Sequence, residues 1–188
     1  MKTRTPATIE DLYQVPGKAE LVNGEIVHMS PTGGSPGYAG DEIRDSLREY
    51  VREGNKGIAV GDNKAFIVDL PNRRSFSPDA AFHVGKMRPG FYIGAPIFAV
   101  EVRSESDYGP ASERKMAAKR ADYFAAGTKV VWDVDVLRED VVRVYRADSP
   151  TEPTIYHPGE IAEAEPAVPG WRLPVERLFA DPEYVEEE

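Results

Sequence analysis

The sequence predicts an α/β fold in which helices cross a mixed β-sheet. Helical spacing occupies residues 38–53 and 111–126, and several short β-like runs lie between these two segments. A single strand, residues 129–136, follows the second helix, and its apolar density is typical of a strand buried on both faces. A strand that returns after a helix usually pairs in parallel through a right-handed crossover. The sheet is therefore expected to contain both parallel and antiparallel pairs.

The N-terminal part predicts a short helix and a hairpin. Thr8 can cap a helix over residues 8–12, because its hydroxyl group precedes acidic residues in the first turn. The segment 19–29 is expected to form a β-hairpin, since Asn23-Gly24 is a residue pair that tight turns with positive φ favour. A Gly-, Ser- and Pro-rich loop over residues 30–37 would lead into the first long helix.

The remaining elements supply the sheet. Four β-like runs predict an antiparallel meander, at residues 57–61, 64–70, 77–84 and 96–103. After the second long helix and its strand, a hairpin-like region begins at Val141. We find no repeat and no low-complexity tract, so the sequence predicts a single domain over residues 1–188.

Charge and composition restrict the class of function. The chain has 32 acidic and 23 basic residues and a net charge of −9, so the molecule as a whole does not attract a polyanion. A nucleic acid would have to bind at a local basic patch or through metal ions. The absence of cysteine excludes a disulfide framework, a thiolate zinc site and a cysteine nucleophile. Without a leader or a long apolar run, we expect a cytoplasmic protein that binds no membrane.

Two acids inside apolar runs are the strongest candidates for chemistry. Asp79 and Glu101 each lie in a predicted strand, where an ionised carboxylate is unfavourable unless a cation or hydrogen bonds compensate it. Glu101 and Arg103 project from one face of their strand, and Asp79 can face them from a paired strand. Such a pair suits Mg²⁺, which binds one or two carboxylates together with waters and phosphate oxygens. Taken alone, the pattern favours a structural role, such as a surface ion pair with Arg103.

Short motifs along the chain, taken in order, carry a resemblance to a known family. They read Ala19-Glu20-Leu21-Val22-Asn23-Gly24-Glu25, Met29-Ser30-Pro31, Ser77-Pro78-Asp79, Val100-Glu101-Val102-Arg103-Ser104, Lys119-x-x-x-Tyr123-x-x-x-Gly127, Trp132-Asp133-Val134-Asp135 and Pro169-Gly170-Trp171. With this set the sequence resembles the Uma2 family, formerly a domain of unknown function, within the PD-(D/E)XK nuclease-like superfamily. Each motif is weak by itself, but their common order covers nearly the whole chain.

The resemblance implies a restriction-endonuclease-like αβββαβ core with a mixed sheet and added N- and C-terminal hairpins. It also implies a site that hydrolyses phosphodiester bonds with Mg²⁺ or Mn²⁺. By the family pattern, Asp79, Glu101 and the Val102 carbonyl group would hold the metal, and Glu20 would be an additional acid at the site and a further candidate metal ligand. A nearby lysine would orient the attacking water or help to deprotonate it.

The chain departs from the superfamily pattern at this lysine. Its usual position, two residues after Glu101, is occupied by Arg103, which stays protonated and cannot act as a base. The resemblance implies that the lysine has moved to the following helix, where Lys119 matches its place. Geometry allows this move, because a helix that runs back along its strand brings Lys119 to roughly the level of Glu101.

Helical spacing by itself gives Lys119 a different place. The helix has a polar side and an apolar side, formed by Lys115, Lys119 and Asp122 and by Ala117, Ala121, Phe124 and Ala125, respectively. A polar side of this kind is usually exposed to solvent. Met116 and Tyr123 flank Lys119 and offer a second apolar edge, so the helix could also be covered on that side. The sequence therefore leaves open whether Lys119 or Arg103 takes the role of the motif lysine.

The function predicted from the sequence is that of a metal-dependent endonuclease acting on DNA. The candidate catalytic residues are Asp79, Glu101, Lys119 and Arg103. Candidates for binding the substrate are the basic residues Arg73, Arg74 and Lys115. Because such folds often pair to reach both strands, we also expect a homodimer.

The sequence leaves two alternatives open. One is a catalytically silent binding or regulatory module that keeps the fold. It is favoured by Arg103, by the negative net charge, and by residues 37–40, which lack the histidine often found at this point of such proteins. The other is a metal-dependent phosphodiesterase that acts on RNA or on small nucleotides.

Overall fold

A computed structural model of the chain describes residues 5–184. Its helices are α1 (Ile9–Tyr13), α2 (Gly34–Arg52) and α3 (Pro110–Ala125), with short 3₁₀ helices at Val175–Leu178 and Pro182–Tyr184. Its strands are β1 (Ala19–Val22), β2 (Glu25–His28), β3 (Ile58–Val60), β4 (Phe66–Ile67), β5 (Ser75–Phe76), β6 (Ala80–His83), β7 (Tyr92–Ile93), β8 (Phe98–Val102), β9 (Val130–Asp135), β10 (Val141–Arg146), β11 (Ser149–Tyr156), β12 (Ile161–Glu163) and β13 (Arg172–Pro174). Within this described part, no helix is long and apolar enough to cross a bilayer.

Six strands form the main sheet in the order β11-β10-β9-β8-β6-β3. β8 and β9 run parallel and are connected by α3, whereas the other neighbouring strands pair antiparallel. The register places Glu101 opposite Asp133 and Ala80 opposite Val100. The predicted fold class, α/β with a mixed sheet, is therefore confirmed.

Alternate residues of the central strands point to opposite faces of the main sheet, and each face has its own core. On one face, the even-numbered residues of β8 pack with residues of α2 and of the C-terminal segment. On the other face, Ala99 packs with Tyr123 of α3 and with residues of the small sheet β5-β4-β7. Glu101 continues the alternation of Ala99, so its carboxylate lies on the α3 face.

Hairpins lie at both ends of the chain, as predicted. The turn between β1 and β2 has φ values of 51° at Asn23 and 73° at Gly24, the positive values that this residue pair favours. Near the other end, β10 and β11 extend the main sheet, and β12 pairs with β13 in a separate hairpin.

Two predicted elements differ from the structure. α2 begins at Gly34 rather than at residue 38, because Pro36 fits the first helical turn, where its missing N–H group is not needed. The run 64–70 contributes only β4, which pairs with β5 and β7 in a small three-stranded sheet. The meander of the main sheet therefore consists of β3, β6 and β8. A local pattern shows that a segment is extended but not which sheet it joins.

Candidate active site

A cleft of about 420 Å³ opens on the α3 face near the end of β8. One wall is formed by residues 27–32, at the end of the first hairpin, and the other by α3 with Lys115 and Lys119. Asp79 and Glu101 both line this space, which we call the α3 cleft. The fold thus brings together the two acids that stood out in the sequence.

Asp79 is fixed by the backbone of the neighbouring strand. It directly precedes β6, and its amide donates to the Val100 carbonyl oxygen at 3.0 Å. Its Oδ2 accepts the Val102 amide at 2.7 Å, and its Oδ1 accepts Nζ of Lys18 at 2.5 Å. The carboxylate of Asp79 is therefore held at the end of β8, close to Glu101.

Lys119 of α3 connects two other acids. Its Nζ lies 2.8 Å from Oε1 of Glu101 and 2.9 Å from Oε1 of Glu20, and its side chain is 18% exposed. Glu20, on β1, is buried and also accepts hydrogen bonds from the Ser77 amide at 2.8 Å and from Arg73 at 2.5 Å. A continuous series of charges therefore links β1, α3 and β8.

Burial and neighbouring charges shift the pKa values in this series. Burial alone would raise the pKa of Glu20, but Lys119 and Arg73 outweigh burial and lower it. Burial raises the pKa of Glu101, and the charges of Asp79 and Glu20 raise it further against the opposing effect of Lys119. Burial would lower the pKa of Lys119, yet its two carboxylate partners raise it. Glu101 is thus the acid of the series whose negative charge is least compensated.

The solvent-exposed position that helical spacing alone predicts for Lys119 is wrong, and the second apolar edge of α3 is buried at Tyr123. Ala117, Ala121 and Ala125 are exposed, Phe124 is half-buried against the core, and the side of the helix that carries Lys119 and Tyr123 faces the sheet. The sheet beneath α3 carries carboxylates, which attract the cations of the helix. Alanine offers little apolar area, so burial of the alanine side would stabilise the opposite orientation only slightly.

Two residues beside the acids have only a weak signal in the sequence. Tyr123 donates its hydroxyl proton to Oε1 of Glu101 at 2.6 Å, and its ring stacks on Phe76 with centroids 3.9 Å apart. Lys18 contacts Asp79. The available signals were the i, i+2 spacing of Lys18 and Glu20, which places both on one side of an extended segment, and the i, i+4 spacing of Lys119 and Tyr123.

Arg103 lines the α3 cleft but is engaged by acids other than Glu101. Its Nε and Nη2 each lie 2.7 Å from a carboxylate oxygen of Asp133, and its Nη1 donates to Glu113 at the start of α3. Both Arg103 and Asp133 are buried. Of the two candidates for the motif lysine's role, Lys119 is the one that contacts Glu101.

The three basic residues considered for substrate binding lie in different surroundings. Arg73 is buried and is held by Glu20 and by Asp122, whose Oδ2 lies 2.8 Å from its Nε. Arg74 is 51% exposed and pairs with an exposed aspartate. Lys115 is exposed and is the one of the three that lines the α3 cleft.

The oxygen donors of the α3 cleft fit a hard divalent cation. Glu101 lies on β8, and Asp79 directly precedes the neighbouring strand β6. The hydrogen bonds that Glu101 accepts from Lys119 and Tyr123 both end on Oε1. Over residues 5–184, no three His, Asp or Glu side chains are grouped as a complete protein cage for a metal would require. Mg²⁺ needs only one or two carboxylates, because waters and substrate phosphate oxygens supply the other ligands.

The main sheet is mixed, its two parallel strands are joined by a crossing helix, and two acids lie close together at the end of β8. This arrangement is that of the restriction-endonuclease-like class of α/β folds. The chain itself belongs to the Uma2 family, described as "putative restriction endonuclease", whose family model matches residues 9–176. The membership predicted from the ordered motifs is thereby confirmed.

A solved structure gives the same fold. The crystal structure of a "putative nuclease belonging to DUF820" from Anabaena variabilis matches with a TM-score of 0.72. The two sequences are 18% identical, and the match covers 93% of this chain and 98% of that chain. No curated protein matches the chain.

Proposed function

We propose that this protein is a metal-dependent endonuclease that hydrolyses phosphodiester bonds of DNA, with Mg²⁺ or Mn²⁺ as cofactor. The observation that carries this proposal is the convergence of Asp79, Glu101 and Lys119 on one cleft. Metal-assisted phosphodiester hydrolysis needs carboxylates that hold a cation. It also needs a positively charged group beside the phosphate. Membership of a family with a nuclease-like description supports the same reading.

In this proposal Asp79 and Glu101 hold the cation, together with the Val102 carbonyl group at the end of β8. The bound cation would polarise the scissile phosphate and lower the pKa of a coordinated water. Glu20 has a different role, because both of its carboxylate oxygens already accept hydrogen bonds from buried donors. It holds Lys119 in place next to Glu101.

Lys119 acts as a positive group that donates hydrogen bonds. An ammonium ion placed between two carboxylates can turn a free proton toward a phosphate oxygen or toward the attacking water. Tyr123 fixes the other side of the same Glu101 oxygen. The carboxylate of Glu101 is therefore oriented before a substrate arrives, which reduces the reorganisation that the reaction requires.

Three broader features belong to the same proposal. Residues 1–188, of which 5–184 are described, act as a single nuclease domain, because residues of the C-terminal strands share the main core. Cutting both strands of a duplex calls for two α3 clefts, so we propose a homodimer for that reaction. We also propose the cytoplasm as its location; a chain without cysteine depends on no disulfide, so a reducing compartment would not destabilise it.

Cleavage of plasmid DNA tests the proposal. The purified protein is expected to nick DNA in the presence of Mn²⁺ and to stop when a chelator removes the metal. Asp79→Asn and Glu101→Gln should each lower the rate at least ~100-fold, the order of loss when a group that stabilises transition-state charge is removed. Asp69→Asn and Glu105→Gln are matched controls, since these residues are 90% and 80% exposed outside the α3 cleft. They should retain the wild-type rate.

The same assay separates the alternatives. Single-stranded DNA, duplex DNA, RNA and a dinucleotide are compared at one Mn²⁺ concentration. Faster cleavage of RNA or of the dinucleotide would show that this class of molecule, and not DNA, is the substrate. If no substrate is cleaved, and calorimetry finds no Mn²⁺ binding that depends on Asp79 and Glu101, the proposal is wrong. The fold would then serve a silent binding or regulatory module.

A further inference from the structure

Lys18 is a cation of the α3 cleft that the proposed reaction does not use. Its side chain is 12% exposed, and its Nζ lies 2.5 Å from Oδ1 of Asp79. The other oxygen of Asp79 accepts the Val102 amide at 2.7 Å. Oδ1 is therefore the oxygen that Asp79 would offer to a metal ion, and Lys18 already contacts it.

Lys18 also contacts a second acid, which is more exposed to solvent than either of the two acids that contact Lys119. Oδ1 of Asp62 lies 2.7 Å from Nζ of Lys18, and the Asp62 side chain is 44% exposed. Lys119 contacts Glu20, which is buried, and Glu101, which lines the cleft. Lys18 can thus leave Asp79 and keep an ion pair with an acid nearer to solvent.

The local charges make such an exchange favourable. Three cationic side chains contact three carboxylates at the site, namely Lys18, Lys119 and Arg73 with Glu20, Asp79 and Glu101. Lys18 and Arg73 each contact one more acid, Asp62 and Asp122 respectively, so the cluster carries two negative charges in excess. A divalent cation on Asp79 and Glu101 would add two positive charges within contact distance of Lys18. Like charges at that separation repel strongly in a partly buried site, so the ammonium group would move away.

We propose that Lys18 is a built-in competitor for the metal site, which neutralises Asp79 while no cation is bound and moves onto Asp62 when a divalent cation binds. This inference rests on the proposed function, because it takes Asp79 as a metal ligand. Lys18 thereby lowers the affinity of the protein for the free cation. A substrate phosphate would add negative charge beside the bound cation and raise that affinity.

Titration calorimetry with Mn²⁺ alone, without nucleic acid, tests this role. Lys18→Gln removes the competing charge and is expected to lower the dissociation constant for Mn²⁺ about tenfold, because a charged hydrogen bond no longer has to be broken. Lys18→Arg keeps the charge and is expected to bind Mn²⁺ within about threefold of the wild type. Asp62→Asn removes the alternative partner, leaves Lys18 on Asp79, and is expected to weaken Mn²⁺ binding.

Two features keep the experiment decisive. The Asp62 side chain is 44% exposed, so Asp62→Asn carries the test even if Lys18→Gln is unstable without metal. Thermal unfolding with and without Mn²⁺ gives an independent measure, since a ligand that binds more tightly raises the midpoint further. Equal Mn²⁺ affinity in the wild type, Lys18→Gln and Asp62→Asn, abolished by Asp79→Asn, would overturn the competitor role and leave the proposed function standing. A lack of Mn²⁺ binding in all of these proteins would overturn both.

Discussion

Arg103 connects three elements through one guanidinium group. It follows β8, contacts Asp133 of β9 through two nitrogens, and reaches Glu113 in the first turn of α3. Hydrogen bonds to Asp133 raise the pKa of Arg103 against the opposing effect of burial. A planar group with several donors can satisfy two carboxylates at once. Arg103 therefore fixes the start of α3 above the sheet, and with it the position of Lys119.

We expect Arg103→Lys to lower the free energy of unfolding by about 2 kcal/mol, although it restores the residue type of the superfamily motif. A lysine cannot make two parallel hydrogen bonds to Asp133, so a buried carboxylate would be left partly unpaired. Urea unfolding measures the change. Arg74→Lys is the matched control, because Arg74 is 51% exposed and its replacement should change the free energy by less than about 0.5 kcal/mol. Equal stability of Arg103→Lys and the wild type would contradict this role.

Single residues of the α3 cleft differ in how well the sequence predicts their place. Asp79 and Glu101 interrupt apolar runs, and a charge in such a run needs a partner, so their convergence could be expected. Lys18 precedes a strand next to a turn, where a lysine is ordinary surface. Its partner Asp79 is 61 residues away in the sequence. Only the three-dimensional fold brings Lys18 to the acids.

At the scale of elements, α3 is held on the sheet more by charges than by apolar packing. Among the described residues of α3, Tyr123 alone is fully buried. Lys119, Arg120 and Asp122 form ion pairs with residues of β1, β8, β9 and the segment before β5. The length of this helix could be predicted, because helix ends carry local signals. Its orientation could not, because the deciding carboxylates lie on strands far apart in the sequence.

Asp135 holds together the connection between β9 and β10. Its Oδ1 accepts the Tyr108 hydroxyl group at 2.8 Å and the amides of Leu137 and Arg138 at 3.1 and 3.0 Å. Burial alone would raise the pKa of Asp135, but these hydrogen bonds outweigh burial and lower it. The folded protein therefore binds the ionised form of this carboxylate in preference to the protonated form.

Asp135→Asn is expected to remove part of the pH dependence of stability. A carboxyl group whose folded pKa lies below its unfolded value of about 3.9 stabilises the fold fully above that value. Its contribution is lost as the pH falls through the folded pKa. At neutral pH we expect the variant to be less stable by about 1–2 kcal/mol, and this difference should shrink in urea unfolding near pH ~3. The exposed Asp148→Asn is the control. A difference that stays constant with pH would contradict the assignment.

For the whole molecule, the net charge of −9 does not describe the surroundings of the acids at the α3 cleft. Five cationic and four acidic side chains line this cleft, namely Lys18, Arg103, Lys115, Lys119 and Arg120 with Asp79, Glu101, Asp107 and Asp133. The excess of acids is therefore spread over other parts of the chain. A duplex that covered a large area would meet this negative field, whereas a single strand entering the cleft would avoid most of it. The charge distribution favours a substrate that reaches the cleft locally.

The C-terminal strands complete the main core. The Trp171 ring lies 5.1 Å from that of Trp132 and 5.6 Å from that of Phe98. Its Nε1 donates to Oγ of Ser46 in α2 at 3.1 Å, across 125 residues of sequence. Pro169-Gly170-Trp171 was recognisable as a motif, but contacts over such separations have no local signal. The hairpin β12–β13 is thus an integral part of the packing between the sheet and α2.

Trp171→Ala is therefore expected to destabilise the whole molecule and not the C-terminal hairpin alone. Loss of a buried tryptophan leaves a large cavity and lowers the free energy of unfolding by about 3–5 kcal/mol. The control is Ile161→Ala in the same hairpin. It should lower the free energy of unfolding by less than about 1 kcal/mol, because Ile161 is 50% exposed. Urea unfolding is followed by circular dichroism for the main sheet and by fluorescence for Trp132. In one cooperative domain both transitions shift together to lower urea. A fluorescence transition that shifts while the dichroism transition stays in place would show that the C-terminal segment unfolds as a separate unit.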